Sequence, residues 1–305
     1  MPLLTTVFDR LMKSILTLLT LTLTLSPPLL FAGSDKAHDH GPGHFKNNIG
    51  LQLWSLRDLT KEDPEMALDL VKAWGIEQVE AAGLYGWTPE EYREEIEKRG
   101  LKLRSAHVQY RAMKENPEKV VKEMKALGVK AVFIPWIRQG DTFDIEQMNT
   151  AVIHFNKWGA MFAKEGIRFG YHPHGYEFAP GEREGETLLD SMFRKTDPDT
   201  VWFEMDVFWV VHGGADPVEL LHKYKDRWIA THIKDIRKGA PIGKPTGGAP
   251  ATDKVAVGTG QIDWEAVIST ALEYGVDLHF IEDEGIRPHV DIPLSLAYLK
   301  GLDVE

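Results

Sequence analysis

The sequence predicts an α/β fold, a (β/α)8 barrel, from three observations. Eight short β-rich runs alternate with longer amphipathic runs from Ile49 to the end of the chain. Proline or Thr-Pro opens several of the amphipathic runs and glycine closes several, which are helix start and stop signals. Side chains able to bind metal or move protons recur where the β-rich runs stop, the end at which such barrels keep their chemistry. A doubly wound open sheet is the alternative, weakened by the absence of a G-x-G-x-x-G turn after any strand.

Before the barrel lie two segments of different character. Residues 1–32 read as a signal peptide: a basic start near Met12-Lys13, an apolar run from Ile15 to Leu25, and small residues near Ala32 and Gly33. The run is short and threonine-rich for a membrane span, so no stable span is expected after cleavage. An uncleaved anchor is the alternative, and Met12 could equally be the start of translation. Residues 33–47, "GSDKAHDHGPGHFKN", are polar and carry glycine and proline, as a disordered linker does, although His38, His40 and His44 could bind metal. The barrel is expected to fill residues 48–305.

The expected strands are "IGLQLW" (49–54), "IEQVEAA" (76–82), "LKLRSAHV" (101–108) and "VKAVFIP" (129–135), then "IRFGYH" (167–172), "TVWFEMDV" (200–207), "WIATHIK" (228–234) and "VDLHFIED" (276–283). Helical stretches such as "PEMALDLVKAW", "TPEEYREEIEKRG" and "NPEKVVKEMKALG" separate them, and "IPLSLAYLKGL" follows the last. One connection is long, residues 235–261, rich in Gly, Pro and Lys; its place after the seventh strand puts it over the barrel mouth.

Composition narrows the class of function. The 305 residues are 43% hydrophobic and 27% charged, ordinary for a globular protein, and a barrel domain of about 250 residues needs no staple. A formal net charge of −11 argues against a nucleic-acid partner, which requires a clustered positive surface. The absence of cysteine excludes disulfides, thiolate metal sites and a lipoprotein anchor.

The strand ends collect Glu80, His107, His172, His174, Asp206, His232, Lys234, Glu282 and Glu284. Asp206 and Glu282 stand in otherwise apolar strands, where an unpaired carboxylate is costly to bury, so "FEMDVFW" and "HFIEDE" require a compensating cation. Imidazole and carboxylate without thiolate suit Mn, Mg, Co or Zn, and the expected ligands are His172, Asp206, His232 and Glu282, one from each of four consecutive strands. Glu177 is an alternative ligand or substrate contact. Trp54, Tyr85, Trp136, Tyr176, Phe208 and Trp209 lie near strand ends and could offer flat apolar faces to a sugar ring.

Five stretches together, "GLQLWSLRD", "YHPHGYEF", "EMDVFWV", "THIKD" and "FIEDE", resemble the sugar phosphate isomerase/epimerase family, whose barrel is xylose isomerase-like. The resemblance implies one divalent metal held by Asp206, His232, Glu282 and a residue of the fifth strand. Many relatives carry glutamate there, one of two opposed carboxylate bases in ketose epimerases; the matching residue here is His172. Similar histidine-bearing sequences include inosose dehydratase-like members and 3-keto-glycoside lyases.

The expected chemistry is abstraction of a proton next to a carbonyl, by a sugar isomerase or epimerase, with 3-keto-glycoside elimination or dehydration close behind and a non-catalytic carbohydrate-binding barrel as a third reading. His172, His174 and Glu282 are candidate bases; Glu177 and Lys234 complete the catalytic set, and Glu80, His107, Trp54, Trp209 and Glu284 are candidate substrate contacts. The partner is a small sugar or glycoside. Export to the periplasm or the extracellular space implies an unphosphorylated one, because phosphorylated sugars are intracellular. Lys238 and Lys244 in the long connection read as solvated charges. The sequence leaves open whether the chain forms a homo-oligomer.

Overall fold

The computed structural model describes residues 44–138, 140 and 142–304. Residues 1–32, read as a signal peptide, and the first part of the expected linker lie outside them. Eight parallel strands close into a barrel: β1 (Ile49–Gln52), β2 (Gln78–Ala81), β3 (Lys102–His107), β4 (Ala131–Ile134), β5 (Arg168–Tyr171), β6 (Val201–Asp206), β7 (Trp228–Ile233) and β8 (Leu278–Ile281). Each strand pairs with its neighbours in sequence, and β1 pairs with β8 to close the ring, with Gly50 opposite Phe280.

Every expected stretch contains its strand, but the ladder stops early in each. Lys234, Glu282 and His172 lie just past the last paired residue of β7, β8 and β5. Those residues leave the sheet and enter the mouth loops. Gln52 likewise ends β1, and residues 53–54, expected in the strand, begin a short 3-10 helix instead.

Helix starts follow local chemistry. Thr88 and Glu91 form a capping box before Pro89–Lys98, and Asn116 caps Pro117–Leu127, which ends at Gly128 in the left-handed region, φ 84°. The last helix runs over Pro288–Lys300, beginning four residues before the expected stretch, with Pro288 at its first position. The segment read as linker ends differently from the expectation: His44–Asn47 form a helical turn. Its Phe45 is fully buried with its ring nearly perpendicular to that of His279, so an aromatic side chain ties this turn to the barrel.

Two apolar layers hold the barrel. Outside, the long helix Ile145–Ala163 lays Phe155, Trp158 and Phe162 against Phe169 of β5. Inside, Phe133, Leu278 and Phe280 cluster with Ala131 and Ala230 and plug the lower half. The plug needs glycine opposite each phenylalanine: a Cβ on Gly50 would stand 2.5 Å from Phe280 Cδ1, and one on Gly170 2.7 Å from Phe133 Cδ1. Above this plug the inward residues turn polar, and that change of layer positions the site.

The long connection is ordered. Asp235 pairs with Val255 in a two-residue antiparallel ribbon, and its carboxylate accepts from the backbone N–H of Ile236, Gly258 and Gly260 at 2.8, 2.9 and 3.1 Å. The segment then reaches across the mouth, where Arg138 Nη1 donates to the Thr246 carbonyl at 2.7 Å and Lys244 N to the His212 carbonyl at 2.9 Å. Lys238 and Lys244 are exposed.

Candidate metal and substrate site

Side-chain alternation along each strand sends every second residue into the barrel, so Glu204 and Asp206 of β6, His107 of β3 and His232 of β7 all face inward. Three histidines meet one carboxylate oxygen there. Glu204 Oε2 lies 2.8 Å from His107 Nε2, 3.0 Å from His172 Nδ1 and 3.3 Å from His232 Nε2. Glu80 Oε2 accepts from Gln52 Nε2 at 2.6 Å and lies 2.7 Å from His232 Nε2. All of these groups are buried or nearly so.

One step nearer the mouth is a second constellation. Asp206, His232 and Glu282 each offer a ligand atom within 4.8 Å of the others. His232 Nδ1 is 3.3 Å from Glu282 Oε2, and His172 Nε2 is 3.7 Å from Asp206 Oδ2. The last two atoms are buried and have no hydrogen-bond partner among the described residues. Buried polar atoms without partners are rare in a folded protein, and here an imidazole nitrogen and a carboxylate oxygen point at each other. That donor set fits a divalent cation of the Mn, Mg, Co or Zn kind. Of the expected ligands, Asp206, His232 and Glu282 stand within reach of one another, while His172 groups with His107, Glu204 and His232 and approaches the second set only through Asp206; His232 belongs to both constellations.

Lys234 lies beside them. Its Nζ is 3.0 Å from Glu282 Oε2 and 3.6 Å from Asp206 Oδ2, and it also donates to Glu284. Lys254, from the long connection, bonds the same Glu284 oxygen at 3.0 Å, while Trp54 Nε1 donates to the other at 3.0 Å.

Charges in the cluster follow from these pairs. Burial opposes ionisation of Glu204, but His232 and the hydrogen bonds from His107 and His172 hold it well below the usual carboxylate range. Burial opposes the cation at His232 as well, yet Glu204 and Glu282 raise it well above an ordinary histidine. His172 moves the other way, down to about 4, through burial and the neighbouring His232 charge. His174 is held well below its ordinary value, chiefly by burial.

A cavity of about 270 Å³ opens above this floor, lined among others by Trp54, His107, Trp136, His174, Glu282 and Glu284. His174 packs edge-on to Trp136 and against Trp209, which is buried behind it. Phe208 is wholly buried, and Tyr176 is buried with its hydroxyl accepting from Ile137 N at 3.1 Å. Glu177 is turned away from the cavity: its carboxylate accepts from the Tyr171 hydroxyl and from His174 N at 3.0 Å.

Sequence reasoning did not single out Glu204, Gln52 or Lys254. For Glu204 the signal was present, since it stands two residues before Asp206 in an apolar strand and must face the same way. Lys254 carried none, because its approach depends on how a long loop folds.

Residues 68–300 match the xylose isomerase-like TIM barrel family. The chain is 25% identical over 283 residues to an inosose dehydratase of Clostridium botulinum, covering 83% of this chain and 92% of that protein. It superposes on a sugar phosphate isomerase/epimerase of Parabacteroides distasonis with a TM-score of 0.70 at 26% identity, over 84% of this chain and 99% of that one. A xylose isomerase-like barrel of Mycobacterium smegmatis, solved in complex with magnesium, gives a TM-score of 0.63 at 16% identity over 83% and 95% of the two chains.

Proposed function

The chain belongs to the xylose isomerase-like TIM barrel family, and on that premise we propose that it is a divalent-metal-dependent carbon–oxygen lyase acting on an unphosphorylated keto-sugar or related polyol ketone. One contrast among the imidazoles carries the reading. His107, His172 and His232 are each engaged by a carboxylate. His174 lines the cavity, and no hydrogen bond reaches its ring from the described residues. It is the uncommitted base.

A divalent ion held by His172, Asp206, His232 and Glu282 would supply Lewis acidity to the substrate carbonyl. His174 takes the proton from the carbon next to that carbonyl and returns it to the oxygen departing from the following carbon. One C–H and one C–O bond break, a C=C bond forms, and water or an alcohol leaves. Lys234 holds Glu282 and Glu284 in place as charge develops. A single imidazole thus serves both halves of an elimination. Epimerisation between two opposed carboxylates lacks its fifth-strand member, because that position is His172.

The likeness to an inosose dehydratase over most of the chain supports elimination. Isomerisation or epimerisation of a free sugar is the second reading, favoured by Glu282, which shares the cavity wall with His174. The export signal read in residues 1–32 supports a substrate without phosphate, met outside the cytoplasm.

The test is incubation of the metal-loaded protein in deuterated buffer with a keto-inositol, a 3-keto-glucoside and free hexoses. Loss of water or release of aglycone, abolished in His174→Gln while the metal still binds, is the expected result. Deuterium entering recovered sugar without elimination would hand the site to isomerisation. No change in any substrate would leave a carbohydrate-binding barrel.

A further inference from the structure

Beside the catalytic cavity lies a larger one, about 440 Å³, which nothing in the proposed chemistry uses. The two share Gln109 and Trp136 in their walls, so they adjoin. The second is cationic in a chain of net charge −11: Arg111, Lys114 and Arg138 line it against one acid, Glu115. Arg111 is bonded to Glu115 at 2.7 Å and is spoken for. Lys114 and Arg138 have no carboxylate within salt-bridge distance among the described residues, and Lys114 stands 5.7 Å from the Tyr110 ring centre.

Arg138 is held in position. Its guanidinium stacks 5.0 Å from the Trp136 ring centre and 5.7 Å from that of Tyr176, and Nη1 is fixed on the Thr246 carbonyl. Its Nε is buried and has no partner among the described residues. A planar, pre-oriented guanidinium is suited to a carboxylate, which accepts two parallel N–H bonds. Trp136 serves both rooms: its ring stands nearly perpendicular to that of His174 in the catalytic cavity, and Arg138 lies over it toward the second.

We infer that the substrate spans both cavities, with its reacting ring above His174 and its leaving portion, bearing a carboxylate, bound by Arg138 and Lys114. The inference rests on the proposed lyase reading for the position of the reacting ring. It adds that the departing group is an acidic alcohol such as a sugar acid.

The experiment uses two matched probes, cellobionate and cellobiitol, which share a glucosyl ring and differ at the second unit by a carboxylate against a hydroxymethyl group. Calorimetry on the metal-loaded protein at low salt is expected to find cellobionate tighter by about tenfold, the worth of one charge-assisted hydrogen bond. That ratio should fall toward one in the Lys114→Gln/Arg138→Gln double variant, and to an intermediate value in Lys114→Gln alone, which removes no hydrogen bond seen in the fold. It should shrink as salt screens the pair. Equal affinities in the unaltered protein, no measurable binding of either probe, or a preference that survives the double variant would overturn the inference. The lyase reading fails separately: a cellobionate preference in a protein that eliminates nothing would leave this subsite standing and sink the chemistry, and elimination without the preference would do the reverse.

Discussion

His172 Nε2 and Asp206 Oδ2 face each other across 3.7 Å, both buried and neither hydrogen-bonded among the described residues. Glu80 Oε1, Glu204 Oε1 and His174 Nδ1 nearby are also buried without a partner among the described residues, and this facing pair of imidazole nitrogen and carboxylate oxygen marks where a cation is wanted. Asp206 also caps the helix Val207–Gly213 through its other oxygen, at 3.1 Å from Trp209 N. Asparagine can keep that cap while giving up the charge. Asp206→Asn is therefore expected to fold as the parent does, with an affinity for divalent metal weaker by at least ~100-fold, since a neutral amide is a far poorer ligand. Metal titration followed by calorimetry checks this, and unchanged affinity would remove the metal site.

Glu204 touches no cavity surface but holds three imidazoles. It is a positioning residue for His172 and His232. Glu204→Gln should weaken metal binding roughly 10–100-fold, as loss of a carboxylate behind metal-bound histidines does. Glu204→Asp, which keeps the charge on a shorter arm, should recover part of the loss. Metal affinities of the two variants, compared at matched far-ultraviolet dichroism, provide the measurement.

The barrel plug makes a packing prediction. Gly50→Ala drives a methyl into Phe280, and Gly170→Ala drives one into Phe133. Each should cost about 1–3 kcal/mol through overpacking. Combining Gly50→Ala with Phe280→Leu should recover part of that loss in urea denaturation, because the smaller side chain vacates the space.

Glu177 sets a pH dependence. Burial pushes its carboxyl from an ordinary 4.5 up to about 7, against hydrogen bonds from Tyr171 and His174 that favour the anion. The native chain keeps this proton to about pH 7, whereas the unfolded chain releases it near 4.5. Between those values the unfolded state binds fewer protons, so stability falls as pH rises and levels off above the upper one. At ~1.4 kcal/mol per unit the penalty amounts to about 3 kcal/mol. Glu177→Gln removes it, so the variant should gain on the parent by roughly that amount between pH 4.5 and 8, read from urea midpoints. Parallel pH profiles would refute this.

Much of the site was legible because strands report their own direction. Proline after His172, and carboxylates inside apolar runs at Asp206 and Glu282, mark both where β5, β6 and β8 end and which side chains must find a cation. Glu177 shows the limit of such reading. It lies five residues past His172 in a histidine-rich loop and looks like a site residue, but the turn at Gly175, φ 92°, carries the chain back so that its carboxylate bonds His174 N. A turn of that kind reverses direction within three residues, and side-chain periodicity does not survive it.

Alternation of β-rich and amphipathic runs, with caps and glycine stops between them, determined from sequence alone that this chain would close as a (β/α)8 barrel and put its ionisable residues at one end. These are short-range properties, set by what each residue prefers and by which of two faces it takes. Tertiary structure alone decided that His107 and Glu204, 97 positions apart, would meet at 2.8 Å, that Lys254 would reach Glu284 from a distant loop, and that a cationic cavity would open beside Trp136. Distances across a barrel depend on strand tilt and register summed around the whole ring, and no local stretch of sequence contains that sum.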